Sequence, residues 1–397
     1  MKYWRGYIAA GIFAAISWAL TELGGKFSAL VDMVYPYVTR TMQNMLTQWS
    51  STVDTCLWQL VVVLLGIVAL STIVLMVVLK WNPIQWFGWV LACVSMLFMF
   101  HTVIYGLNNH AGPLAEDVRM ENIGYTETDL VNATLYYRDK ANELALQMDR
   151  DANGDPVFPG FEELAQQAAN GFEHLTYDRS YSVFAGDLTP VKKLGWSNYY
   201  SSVGITGMFV SLTGEAAVNP DIPVVGLPFN MCHEMAHRMC IANERDANFG
   251  GFLASRFNES KEFQYSAYFM AFRYCYNTLI TRGTSSANAA AKQALDGMNA
   301  QLRHDLQVWD TFFASRKNEK ATEISDNAMD TTLKISGNER GIDSYDDVGD
   351  LLVCWYVQEI VLPSQAEEES PFDPFDESQV DLSGLVNAKP TEGEPTP

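Results

Sequence analysis

Two apolar runs without a charged side chain decide what kind of fold this chain can adopt. Cys56 to Leu79 and Ile84 to Leu107 contain no Asp, Glu, Lys or Arg, and His101 is the one imidazole in them. Each is long enough to cross a hydrocarbon layer of ~30 Å at ~1.5 Å per residue. A helix of a soluble core is usually shorter and keeps a polar face. Lys80-Trp81-Asn82-Pro83 forms a tight link between the two. A shorter run, Gly6 to Thr21, follows Lys2 and Arg5. It reads either as a signal peptide, with Ser17-Trp18-Ala19 as cleavage site, or as a short span lengthened by interfacial Tyr3 and Trp4. Drawn as three spans (about 6–21, 56–79 and 84–107), the chain puts Lys2, Arg5 and Lys80 on one side. By the positive-inside rule that side is the cytoplasm. Glu22 to Thr55 is then an outside loop, and everything after Asn108 is outside.

The chemistry lies in that outside part. His233-Glu234-Met235-Ala236-His237 reads HExxH. Residues four apart on a helix share a face, so both imidazoles can reach one zinc ion, with Glu234 beside them to act on a water that the metal activates. With 6 His and at most 47 Glu in 397 residues, about 0.01 accidental matches are expected. The approach, Pro220 to Pro228, favours loop. From Phe229 the chain becomes helix-compatible, with Met231, Met235, Ala236 and Met239 giving a buried side. The plain alternative is a surface helix whose two His and one Glu are merely solvated.

A catalytic zinc takes three protein ligands and keeps a position for water. Glu244 is the foremost candidate for the third, with Asp246 as the alternative. Only six residues separate His237 from Glu244, so the chain must turn sharply. Asn243 can cap a second helix with Asp246 as its reciprocal partner, placing Glu244 in the first turn. First-turn acids also favour the helix dipole without any metal.

The run from Gly204 to Ser255 resembles the core of a bacterial family of membrane proteins of unknown function that carries a zincin-like HExxH domain. The resemblance extends to GLNNHAGPLAEDV from Gly106, KANELA from Lys140 and GIDSYDDVGDLLVCWY from Gly341. Glu244-Arg245-Asp246-Ala247-Asn248 is also similar to the third-ligand helix of gluzincins. The resemblance implies His233, His237 and Glu244 as ligands, Glu234 as base and Asn248 as support for a histidine. It also favours a span over a signal peptide for Gly6 to Thr21. One position departs: Cys240 stands three residues after the second His, where the family is expected to have Gly, and a left-handed turn there is disfavoured for any other residue.

The remaining chain is read more coarsely. The net charge of −21 argues against nucleic acid and anionic membrane surfaces as partners. Six scattered Cys make no disulfide scaffold or CxxC pair; only Cys275 and Cys354 are candidates for pairing. Glu127 to Met148 and Phe161 to Glu173 have helical spacing, and Asp151 to Pro156 is a break. That break lacks the closing Glu of a calcium loop. Ile205 to Val218 reads as a strand pair around Gly214. Zincin folds offer an edge strand to the peptide substrate, and Glu215, Ala216 and Ala217 are the expected edge. The aromatics from Phe257 to Tyr276 read as core. Tyr345 or His304 is a candidate donor to the tetrahedral oxyanion. From Ser364 the acidic, Pro-rich tail reads as disordered.

The expected architecture is therefore mainly α. A membrane region at residues 1–107 precedes an extracytoplasmic, mostly helical zincin-like domain at 108–363 with a small β element, and a tail at 364–397. The expected function is a membrane-anchored zinc metallopeptidase with one catalytic Zn2+, a peptide or protein substrate and the lipid bilayer as its surroundings. The rival is a zinc-binding sensor or interaction domain without catalysis.

Overall fold

A computed structural model of the chain describes residues 2–120, 124–177, 179–337 and 348–364. Tyr345 and the tail beyond Ser364 lie outside these residues. The first helices are α1 (Arg5–Lys26), α2 (Ser28–Ser50), α3 (Leu57–Val78) and α4 (Pro83–Ile104). The domain follows with α5 (Leu114–Asp117), α6 (Glu127–Ala145), α7 (Phe161–Tyr177), β1 (Lys192–Lys193), α8 (Ser197–Ser202), β2 (Gly207–Val210) and β3 (Glu215–Val218). After the sheet come α9 (Leu227–Arg238), α10 (Glu244–Phe257), α11 (Lys261–Arg282), α12 (Ser285–Asp296), α13 (Ala300–Arg316), α14 (Glu319–Ile335) and α15 (Val348–Tyr356). The fold is mainly α with one small sheet, as the sequence implies.

Helices α1, α3 and α4 are each long and apolar enough to cross a membrane. α1 and α4 pack closely where Gly6 meets Gly88: a Cβ on Gly6 would overlap the Gly88 backbone, and one on Gly88 the Tyr7 ring. Small residues at such a crossing let two backbones approach in lipid, where packing has to replace the hydrophobic effect. α3 stands apart, with none of its apolar stretch buried. Its N-terminus is held by the domain, since Glu215 accepts the backbone N–H of Leu57 at 2.7 Å and of Trp58 at 2.9 Å. The first N–H groups of a helix have no partner within it, and a carboxylate there also complements the dipole.

The expected outside loop from Glu22 to Thr55 is mostly helix instead. α2 was missed because its buried side is polar, against the usual pattern. Thr39, Arg40, Gln43 and Thr47 are buried. They bond to the domain and to the end of α4: Arg40 Nε donates to Met239 O at 3.2 Å, Thr47 Oγ1 to Gly214 O at 2.8 Å and Gln43 Nε2 to Ile104 O at 3.1 Å.

The domain core is one cluster in which α6, α7, α9, α10, α11 and α15 meet. Phe263, Tyr265, Phe269 and Phe272 of α11 are fully buried within it, as their spacing implies. α6 opens with a capping box between Thr126 and Asp129. The expected break at Asp151 is a tight loop in which Asp151 Oδ1 accepts the N–H groups of Asn153 and Asp155. No disulfide joins any of the six cysteines, so the expected candidates Cys275 and Cys354 are not bridged.

The sheet order is β1-β3-β2, with β3 parallel to β1 and antiparallel to β2. This corrects the expected edge: Glu215, Ala216 and Ala217 lie in the middle strand β3, all three paired with β2 and Ala217 paired on its other side with Lys192 of β1. The reason is β1, a two-residue strand too short for any periodicity to reveal. Glu215 is buried and bonded to Lys192 Nζ at 2.6 Å as well as to the start of α3, so it braces the fold. Among the described residues the edges of the sheet are β1 and β2, and β2 is the longer of the two.

Candidate metal centre

The approach to the HExxH helix behaves as its composition implies. A 3-10 turn at Val224–Gly226 delivers Leu227 and Pro228 into the first turn of α9, where proline's missing N–H costs nothing. Every residue of α9 is buried. The helix then stops abruptly. Cys240 N–H donates to His237 O at 2.9 Å and Ile241 N–H to Ala236 O at 3.2 Å, with Cys240 at φ +71°. These are the two bonds and the left-handed residue of a Schellman turn. The turn forms with Cys at the position where Gly is favoured, so its backbone holds a conformation that costs roughly 1 kcal/mol for an L-residue. Contacts repay this: Cys240 is buried, and Thr39 Oγ1 of α2 lies 3.4 Å from its Sγ.

The same turn orients a ligand. His237 Nδ1 lies 2.8 Å from Ile241 O, so the ring donates from Nδ1 and Nε2 is the nitrogen left for a metal. Asn243 then caps α10, its side chain accepting Arg245 N–H at 3.0 Å. α10 returns close over α9: a Cβ on Gly251 would press on the His233 backbone at 3.2 Å. This approach brings Glu244 back onto the two histidines. Glu244 Oε2 lies 3.4 Å from His233 Nε2 and 3.3 Å from His237 Nε2. The three donor atoms fall within 4.8 Å of one another, and all three residues are buried.

The electrostatics are those of a site short of positive charge. Burial pushes Glu234 up to about 8, with His237 pulling it down and Glu244 pushing it up. Burial works against protonation of His237, but Glu244, Glu234 and the Ile241 carbonyl together outweigh it and raise the imidazole to about 9. Burial would raise Glu244, yet the two histidines hold it well below the usual carboxylate range. Among the described residues, His233 Nδ1 and Glu234 Oε2 are buried with no hydrogen-bond partner. Two imidazoles and one carboxylate on a common point suit zinc, and a divalent cation would neutralise this carboxylate-rich pocket.

Glu234 does not join the three donors; it faces the sheet. A Cβ on Gly207 would collide with its carboxylate, so the open-edged strand β2 passes directly over the expected base. Phe209 of β2 lies over the His237 ring at 6.5 Å between centroids, and Tyr105 packs on Phe209 at 5.1 Å. Tyr105 also stands within electrostatic reach of Glu234 and Glu244.

Other expected residues go elsewhere. Asp246 is no ligand: its Oδ2 accepts the Leu114 N–H at 3.0 Å and its Oδ1 the Arg245 Nε–H at 2.9 Å. Nor does it close the expected capping box, because its carboxylate is spent on α5. Asn248 is buried beside His233 and accepts a bond from Tyr274 Oη at 3.1 Å. His304 pairs with Asp155 at 2.7 Å, and its partner is this loop acid and not a member of the metal group. Gly207, Phe209 and Tyr105 went unnoticed. The first two lie inside the strand pair the sequence does reveal, and Gly207 at its start is the one local sign of a close approach. Tyr105 sits in an apolar run that hides it.

HExxH on one helix, with a carboxylate from the first turn of the next, is a metal-binding layout of the gluzincin kind on a helical, membrane-helix-bearing chain. Over residues 31–353 the chain matches a family described as "Protein of unknown function (DUF3810)", and it belongs to that family. No curated protein and no solved structure matches it.

Proposed function

We propose that this chain is a membrane-anchored, zinc-dependent metallopeptidase with its site on the extracytoplasmic side. The carrying observation is the convergence of His233, His237 and Glu244, with Glu234 of the same helix turned toward β2 at Gly207. A structural zinc would need no such base and would tend to be closed by a fourth ligand. Zinc held by the three residues supplies Lewis acidity toward a water and a substrate carbonyl.

The chain's own groups do the rest. A peptide adds to the free edge of β2 through backbone hydrogen bonds, which lays its scissile carbonyl beside Glu234. Glu234 takes the proton of the attacking water and hands it to the leaving amine. The Tyr105 phenol, whose ring packs on Phe209, is the donor assigned to the oxyanion. Asn248 supports His233: with its amide oxygen turned toward Nδ1 it would accept the orphaned imidazole N–H. Lys2, Arg5 and Lys80 together set the orientation by the positive-inside rule.

The test is bound zinc by mass spectrometry on the full-length protein in detergent, beside turnover of a quenched peptide library. About one zinc per chain is expected, lost with His237→Ala. Glu234→Gln should keep the metal and lower turnover by ~10²–10⁴-fold. Zinc without turnover in the wild type would favour the sensor reading. Folded, zinc-free wild type would end both.

A further inference from the structure

A helix packed on a water-soluble domain buries apolar residues and shows polar ones to solvent. α2 does the reverse. Its domain side carries Thr39, Arg40, Gln43 and Thr47, all buried. Its other side carries Met33 (64% exposed), Val34, Tyr37 (66%), Val38, Met45 (67%) and Trp49 (62%). At 100° per residue these six fall on one side of the helix.

The position of α2 says what covers that side. Asp32 accepts the Gly112 N–H at 2.7 Å, and Tyr35 Oη donates to Val103 O at 2.7 Å, so α2 crosses the end of α4. One residue separates its start from the end of α1. Six residues separate its own end from the start of α3, which is held by Glu215. The outer ends of all three candidate spans therefore lie along α2. At ~1.5 Å per residue its 23 residues reach about 34 Å, which accounts for α3 standing apart from α1 and α4. A rod joining the ends of spans, with a domain on its upper side, has its lower side toward the bilayer.

We propose that α2 is a membrane-surface helix, its apolar side sunk into the boundary between lipid headgroups and acyl chains, so that the domain rests on the bilayer through it. Tyr37 and Trp49 have the amphipathic rings that this boundary favours. Asp32 and Arg40 are its only charged residues, so attachment comes from apolar area and not from attraction to anionic lipid. The proposal holds whatever the domain catalyses.

The test places a nitroxide on α2 in the full-length protein, reconstituted in phosphatidylcholine nanodiscs. Exposed Cys93 and half-buried Cys354 are first replaced by Ser; the other four cysteines are buried. Labels go on Met33→Cys, Val38→Cys and Met45→Cys, with Ile324→Cys as a control on α14, where Ile324 is 71% exposed. Apolar oxygen should relax the α2 labels severalfold more than an aqueous nickel chelate does, and the control should show the opposite order. Nickel access at α2 equal to the control would overturn the proposal. So would exclusion of both reagents, which would mean that a second copy or another protein covers the helix. Three label sites keep the result from resting on one variant's folding.

Discussion

His237 Nδ1 and the carbonyl oxygen of Ile241 lie 2.8 Å apart across a turn whose left-handed residue is Cys240. The turn that ends the HExxH helix is thus also the part that aims the second imidazole. Backbone geometry at Cys240 and metal affinity should then move together. Cys240→Gly keeps the turn and should keep zinc at wild-type stoichiometry. Cys240→Val puts a β-branched residue at φ +71°, where it is strongly disfavoured. The turn has to shift, the Ile241 acceptor leaves, and zinc affinity should fall ~10–100-fold, as on losing a partner behind a ligand. Competition with a chromophoric chelator measures it. Equal affinity in the two variants would detach the turn from the site.

The acids of α10 have separate jobs, and substitution should separate them. Glu244→Ala removes a donor from the group of three, so the purified protein should hold zinc far below one per chain. Asp246→Ala should keep zinc. It strands the N–H of Leu114, a buried residue whose acceptor it is, which costs about 1–3 kcal/mol. Thermal unfolding in detergent would show this as a lower midpoint for Asp246→Ala. Zinc loss in Asp246→Ala at unchanged stability would reverse the assignment.

Tyr105 tests whether the membrane region takes part in the chemistry. Its ring is wedged on Phe209, so Tyr105→Phe keeps the packing and removes only the hydroxyl. If the phenol donates to the oxyanion, kcat should fall ~10²–10³-fold while KM and zinc content hold. A change in KM alone would make Tyr105 a part of the substrate wall.

What could be read in advance follows from how local each signal is. HExxH and its buried side are encoded within one helix, and His233, Glu234 and His237 stand where spacing puts them. Glu244 was legible because only six residues allow one kind of return. The role of Asp246 was not, because its partner Leu114 is 132 residues away. The edge strand was mistaken for the same reason: β3 becomes central only through Lys192 and Lys193. α2 was concealed by an inverted pattern that makes sense only with domain above and lipid below.

The last expectation concerns where substrate comes from, and it rests on both the peptidase reading and the surface helix. The β2–β3 hairpin is fastened to the end of α4: Ser211 Oγ lies 2.8 Å from His101 Nδ1, and Phe209 packs on Tyr105. α4 ends at Ile104, so a peptide along β2 lies beside the end of a span. A soluble peptide reaches that place only by free diffusion. A segment tethered a few residues from its own membrane anchor arrives at an effective concentration of order mM. One cleavable sequence, presented free and on a transmembrane anchor in the same vesicles at ~10 μM, should be cut ~10²-fold faster when anchored. Lengthening the tether with Gly/Ser residues should erode the gain as the reach outgrows the site. Equal rates for free and anchored forms, at wild-type zinc content, would show a cleft open to bulk water and leave the peptidase assignment intact.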